Sequence, residues 1–320
     1  MMRSLYLVCA ALALAAATTG QDLRRGLASA DAVIVGRQVG KTPHGDSLTL
    51  HRVQVLEAVR GLEGERAVTV LDWPKLSLHS RPTPRQSRLY CLLDASAVAQ
   101  RLGLPSRGAP YFKMVSWAGS HPLIGGERDQ DPVVRLARLL AAAERGAPPG
   151  VTASALAQLA VDGDPRVRSE AARYLTERSD LRGKLAGVHW SRLTARATGE
   201  VEDIDYKIAL ATLCAEQRLG GLVDALAVSL GPVTDPRYAR CLGRISKVLH
   251  GEQATEVLSR RLRNLGKSED RRMVLLAIGA TETQSALDAL LKMDERDADV
   301  TAALREHRSK RARDAADARR

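Results

Sequence analysis

An aspartate returns in register along the C-terminal two thirds of the chain, and this limits the folds open to it more than any other feature. Asp131-Pro132-Val133-Val134-Arg135 recurs as Asp164-Pro165-Arg166-Val167-Arg168 and again as Asp235-Pro236-Arg237-Tyr238. Asp203-Ile204-Asp205-Tyr206 and Asp270-Arg271-Arg272-Met273 keep the same phase, with Asp-to-Asp steps of 33, 39, 32 and 35 residues. Three residues after each Asp stand Val134, Val167, Tyr206, Tyr238 and Met273. Seven and eight after the last four stand Ala171-Ala172, Leu210-Ala211, Leu242-Gly243 and Ala277-Ile278. An Asp at an N-cap accepts from the free N–H groups of a first helical turn, and Pro at N1 already has a helical φ. Each Asp therefore predicts a helix start, and the small residue eight positions on predicts close approach of a neighbouring helix. A second amphipathic helix follows each first one, carried by Leu222, Leu226 and Leu230, by Leu258, Leu262 and Leu265, and by Leu287, Leu290 and Leu291. One helix pair cannot bury its apolar face alone, so successive pairs are expected to stack.

The segment Asp164-Pro165-Arg166-Val167-Arg168-Ser169-Glu170-Ala171-Ala172-Arg173-Tyr174-Leu175 resembles the helix of a HEAT repeat, with its Asp, Val-Arg and Ala-Ala…Leu. The resemblance extends over residues 131–300. It implies an α-solenoid. At Asp131, Arg138 interrupts the expected apolar phase.

Upstream the period is two rather than helical. Val33-Ile34-Val35 marks a first strand, Leu48/Leu50 and Val53/Val55 alternate along one long second strand, Val68 and Val70 mark a third, and Leu89-Tyr90-Cys91-Leu92-Leu93 is apolar throughout. The first three read as strands of the barrel wall and the fourth as a central strand buried on both faces. The phase slips at His51-Arg52, which predicts a bulge there. Residues 95–102 read as one short helix ended by Gly103, before a last strand near Tyr111 to Trp117, while the proline-rich stretch 74–87 reads as a long loop. Five short strands with one helix predict a small barrel, OB-like in size. Ala30-Asp31-Ala32-Val33-Ile34-Val35-Gly36 and Val53 to Gly61 resemble a pattern in exported bacterial modules related to netrin-type and metalloproteinase-inhibitor barrels. That inhibitor family acts through a cysteine at the mature N-terminus. None stands near Gln21, so inhibition is not carried over. Aromatics are only 3% of the chain, which suits cores built from Leu, Val and Ala.

Arg3, the uncharged run Leu5 to Leu14, and the small residues Ala15 to Gly20 have the order of a secretory signal peptide. Residues 1–20 are thus expected to be removed, after Ala17 or Gly20. The mature chain is expected to lie outside the cytoplasm, periplasmic or secreted, with no spanning segment. Cys91, Cys214 and Cys241 then remain. Cys214 and Cys241 differ by five positions within their repeats, about 7.5 Å along a helix axis, so three reduced thiols are expected.

The excess of positive charge is local. Residues 21–125 hold 14 Lys and Arg against 8 Asp and Glu, residues 126–307 hold 27 of each sign, and residues 308–320 hold six basic against two acidic. Without aromatic platforms this does not point to nucleic acid. An acidic protein or another acidic envelope component fits better. Within the helical region Arg237, Arg240, Arg244 and Lys247 form one stripe on one helix, followed by Arg260, Arg261, Arg271 and Arg272. These eight are the candidate binding surface.

No G-x-S-x-G, P-loop, H-E-x-x-H or C-x-x-C occurs, and seven scattered histidines show no ligand spacing. No catalytic, cofactor or metal residue is assigned. The expected architecture is α+β in two domains. A signal (1–20) precedes a small OB-like β-barrel (21–125), an all-α HEAT-like solenoid (126–307) and a basic, unpacked tail (308–320). The function expected is a non-catalytic binding or scaffold role through the solenoid surface. The alternative is an envelope enzyme or lyase with a site in the barrel–solenoid crevice.

Overall fold

The computed structural model describes residues 23–73, 86–105, 108–115, 122–125, 127–200, 203–219, 221–230, 233–263, 268–294 and 296–319. The expected signal, nearly all of the proline-rich stretch and Ser116-Trp117 lie outside these. Contacts divide the chain into two compact units, Met1–Ala171 and Ala172–Arg320.

The first unit opens with a short helix over residues 23–29 (α1), followed by strands β1 (Ala32–His44), β2 (Leu48–Arg60), β3 (Ala67–Asp72) and β4 (Ser87–Asp94). Helix α2 (Ser96–Arg101) and strand β5 (Tyr111–Met114) complete the barrel. It closes in the order β1-β2-β3-β5-β4, antiparallel throughout except for the parallel β3–β5 pair. Ile34, Val53, Val68, Val70, Tyr90, Leu92 and Phe112 fill the interior. Ala95 and Ala99 pack beside Leu48 and Leu71 in a second cluster. As its apolar run predicts, β4 is buried from Arg88 to Leu92. The helix falls before the last strand, and Gly103 follows it with φ +68°.

The expected bulge lies on the other strand of the pair. Gln38 faces Val53 and Gly40 faces Arg52, so the extra residue is Val39 of β1, which is exposed. The phase slip in β2 has a different origin: His51 turns inward, with Nε2 3.4 Å from Asp72 Oδ2 on β3. A polar side chain with an internal partner can occupy a position where hydrophobic pattern alone expects an outward one.

Helices α3 (Pro132–Glu144) and α4 (Pro149–Asp162) belong to the same unit as the barrel. Arg138, which breaks the apolar phase of α3, grips Glu57 of β2 in bidentate fashion at 2.6 and 2.8 Å. Arg128 and Arg145 donate to the carbonyls of Leu56 and Val59, at 2.8 and 3.1 Å. The change of period near Gly125 thus marks a change of secondary structure. The packing boundary falls later, inside α5 (Pro165–Glu177).

The second unit continues with α6 (Ser179–Arg182), α7 (Gly187–Thr198), α8 (Ile204–Ala215), α9 (Leu222–Ala227), α10 (Pro236–His250), α11 (Ala254–Arg263), α12 (Ser268–Ala280), α13 (Gln284–Leu291), α14 (Ala298–Glu306) and α15 (Lys310–Ala318). Two rows result. Helix α8 packs on α10, α10 on α12 and α12 on α14, while α7, α9 and α11 follow one another in the second row. The aspartates act as expected: Asp203 accepts from the N–H groups of Asp205 and Tyr206, and Asp235 from that of Arg237. The long 39-residue step between Asp164 and Asp203 accommodates the extra short helix α6. Asp270 departs from the pattern, because α12 already begins at Ser268. The next aspartate cap is Asp297, which accepts from Asp299 and Val300.

Small residues set the spacing. A Cβ added to Gly243 of α10 would lie 2.2 Å from the carbonyl oxygen of Ala277 on α12, and one on Gly279 would lie 2.1 Å from that of Ala303 on α14. Replacing Gly243 with Ala should therefore push α10 and α12 apart. We expect a loss of roughly 1–3 kcal/mol, read as a lower urea midpoint with an unchanged slope.

The tail is a correction. Residues 310–318 form a helix capped by Ser309, with Ala312 and Ala316 buried. His307 anchors its start: Nε2 lies 3.1 Å from the Thr283 carbonyl oxygen, and Nδ1 accepts from the Ser309 N–H at 3.4 Å. Composition reads such a segment as solvated, but two alanines four residues apart present one small face to a neighbour, and α15 packs on α14. Deleting residues 308–320 should lower stability by on the order of 1–2 kcal/mol. A melting curve superimposable on that of the full chain would contradict this packing.

Candidate functional site

The basic stripe sits on α10, the most strongly amphipathic helix of its row, with Asp235 at its N-cap and Pro236 at N1. Its apolar side, Tyr238, Ala239, Leu242 and Ile245, is buried. The opposite side carries Arg237, Arg240 and Arg244, which line a groove of about 490 Å³ between α8 and α10. Ile208, Thr212, Ala215 and Glu216 come from α8 and its C-terminal turn, and Cys241, Ile245 and Val248 from α10. The groove opens where the stack lacks a glycine. Gly243 and Gly279 bring α10, α12 and α14 together, whereas the position eight residues after the Asp203 cap is Ala211. Accordingly α10 meets α8 along a sparser contact than it makes with α12.

The eight arginines and lysines of the candidate surface have different fates. Arg237 bonds its own cap, Asp235, at 2.8 Å and reaches Asp205 of α8 at 3.0 Å. Arg240 holds Glu306 of α14 through two contacts of 2.8 and 2.6 Å. Lys247 lies 3.8 Å from Glu282, Arg271 2.5 Å from Asp297, and Arg272 3.8 Å from Asp299. Asp205, which precedes the basic block in sequence, and Asp297 and Asp299, which follow it, thus meet it in space. Among the described residues Arg244, Arg260 and Arg261 form no ion pair. Arg237, Arg240 and Arg244 line the groove; Lys247, Arg260, Arg261, Arg271 and Arg272 do not.

These pairings carry an electrostatic signature. The hydrogen-bonded Arg237 guanidinium holds the Asp235 carboxyl below its ordinary value. At Asp297 burial opposes ionisation, but bonds from Arg271 and the helix N–H groups outweigh it and keep the carboxyl low. The floor of the groove is less polar. Thr212 Oγ1 donates to the Ile208 carbonyl at 2.8 Å and lies 3.6 Å from Cys241 Sγ. Burial pushes the Cys241 thiol up, against the opposing pull of Thr212 and Arg244.

Sequence reasoning missed the α8 wall, because Ile208, Thr212 and Ala215 look like core positions on a helix that is apolar nearly all round. It also missed Lys207, a buried lysine whose Nζ donates to the carbonyls of Ala197 and Gly199 at 3.3 and 2.8 Å. That ammonium satisfies the C-terminal end of α7, a need no sequence pattern announces. Among the described residues no cluster of three His, Cys, Asp or Glu side chains could hold a metal ion. None of the described helices is long and apolar enough to cross a membrane.

No family model, curated protein or solved structure matches this chain.

None of the three described cysteines forms a disulfide; Cys91 and Cys214 are fully buried and Cys241 partly so. Burial pushes the Cys91 thiol up to about 12 and the Cys214 thiol up to about 11. The thiolate is the reacting form, so at pH 8 a maleimide should label native protein slowly and Cys241 first. Peptide mapping that finds Cys91 or Cys214 labelled ahead of Cys241 would contradict this arrangement.

Proposed function

We propose that this chain is an exported, non-catalytic binding or scaffold protein. Its stack of capped helix pairs, a solenoid of the HEAT-repeat kind, engages an acidic partner, either another protein or an acidic envelope component. The observation that carries this reading is the row of Arg237, Arg240 and Arg244 along an open groove, with Arg244 lacking an ion-pair partner among the described residues. A cation on an exposed helix face attracts an anionic partner over roughly a Debye length, about 8 Å at physiological ionic strength. The alternation of Asp-capped first helices with amphipathic second ones supports the solenoid assignment. The order of Arg3, an apolar run and small residues supports export.

Arg244 and Lys247 are both exposed, so reversing their charge leaves the core untouched. Arg244→Glu with Lys247→Glu should abolish a cross-linked envelope partner seen with the unaltered protein, while stability falls by no more than about 1 kcal/mol through loss of the exposed Lys247–Glu282 pair. The mature N-terminus, read by mass spectrometry, should lie at residue 18 or 21. A partner retained at equal yield in the double variant would remove this face from consideration, and an intact N-terminus would rule out export by this signal.

A further inference from the structure

The groove between α8 and α10 supports something narrower than a partner-docking face. We propose that it is a binding site for a small monoanionic amphiphile, with a carboxylate head at Arg244 and an aliphatic body lying over the floor between the two helices. This goes beyond the scaffold reading and does not depend on it.

Charge pairing decides the number of negative groups. Arg237 is held by Asp235 and Asp205, and Arg240 by both oxygens of Glu306. Glu216, the acid on the α8 side, is held by Arg182 at 2.8 Å. Arg244 is the groove-lining charge left without an ion-pair partner among the described residues. A guanidinium binds a carboxylate through charge-assisted hydrogen bonds. A second negative group would find only arginines already engaged, and a neutral ligand would leave Arg244 unused.

The floor decides the rest of the ligand. Ile208, Ala215, Cys241, Ile245 and Val248 contribute apolar surface, and the Thr212 hydroxyl is already bonded to a backbone carbonyl. Val248 stands 70% exposed, an aliphatic side chain in water on the same helix as the Arg244 cation. A volume of about 490 Å³ falls within the ~300–1,000 Å³ of small-molecule sites. Arg244 lies four residues from both Arg240 and Val248, about 6 Å along the axis in each direction. The head therefore meets the cation mid-groove and the body extends toward Ile245 and Val248.

Calorimetric titration of the full chain with decanoate tests this, with decanol as the neutral counterpart and glutarate as an anion lacking the long apolar body. Saturable binding of decanoate is expected, with decanol and glutarate each at least tenfold weaker. Arg244→Gln and Val248→Asp change exposed side chains and should fold normally, which circular dichroism checks. Each should weaken decanoate at least tenfold, and Arg305→Gln, an exposed arginine outside the groove, should leave it unchanged. The proposal is overturned if decanoate binds without saturation or not at all, or if decanol binds equally well. It also fails if Arg244→Gln binds like the unaltered protein, or if Arg305→Gln weakens binding to the same extent.

Discussion

The carboxylate at the start of a first helix is the interaction on which the helical region depends. It satisfies backbone donors that would otherwise lack partners, a contribution of about 0.5–2 kcal/mol at each cap. It also ties neighbours together. Arg166 lies near both Asp131 and Asp164, Arg237 bonds both Asp235 and Asp205, and Arg271 reaches forward to Asp297. Local helix initiation and helix-to-helix register therefore draw on the same residues. Ion pairs of this exposure add little singly. Their repetition specifies which helix ends sit side by side.

Within that frame, the closeness of neighbours is a matter of single atoms. Gly243 and Gly279 each place a bare Cα where a methyl group would collide with the next helix. Ala211 keeps its methyl, and the groove lies on that side of α10. The groove is thus a local relaxation of the packing that holds the rest of the row. The groove's floor stays apolar because the Thr212 hydroxyl there is bonded to a backbone carbonyl, and its rim carries Arg244, which forms no ion pair among the described residues.

The first unit uses a different device. Arg138 and Glu57 join a helix to a strand, and Arg60 reaches Glu144 together with the carbonyls of Leu27 and Ala30. Arginine suits this role because its planar fork serves a carboxylate or several carbonyls at once. Leu27, Val33, Val59, Ala137 and Leu140 line the small space beneath these contacts. Barrel, α1 and α3 are consequently one packed body.

Much of the architecture follows from the sequence alone, because it rests on local chemistry. Period-two alternation, the apolar run of β4, Gly103 after α2 and the Asp-Pro starts each act within a few residues, so barrel strands and capped helices are legible without a structure. Arg237, Arg240 and Arg244 could be assigned to one helix face from spacing alone. Their use could not, since whether an arginine is free depends on acids 32 or 66 residues away, Asp205 and Glu306. The same holds for the α8 wall of the groove, for Lys207 at the end of α7, and for the inward turn of His51 toward Asp72. The tail shows the converse: a charged composition suggests solvation, yet Ala312 and Ala316 need only a small complementary surface, which α14 supplies. Pairing between distant residues and the distance between helix axes are tertiary quantities, and they decide which charges remain for a ligand and where there is room for one.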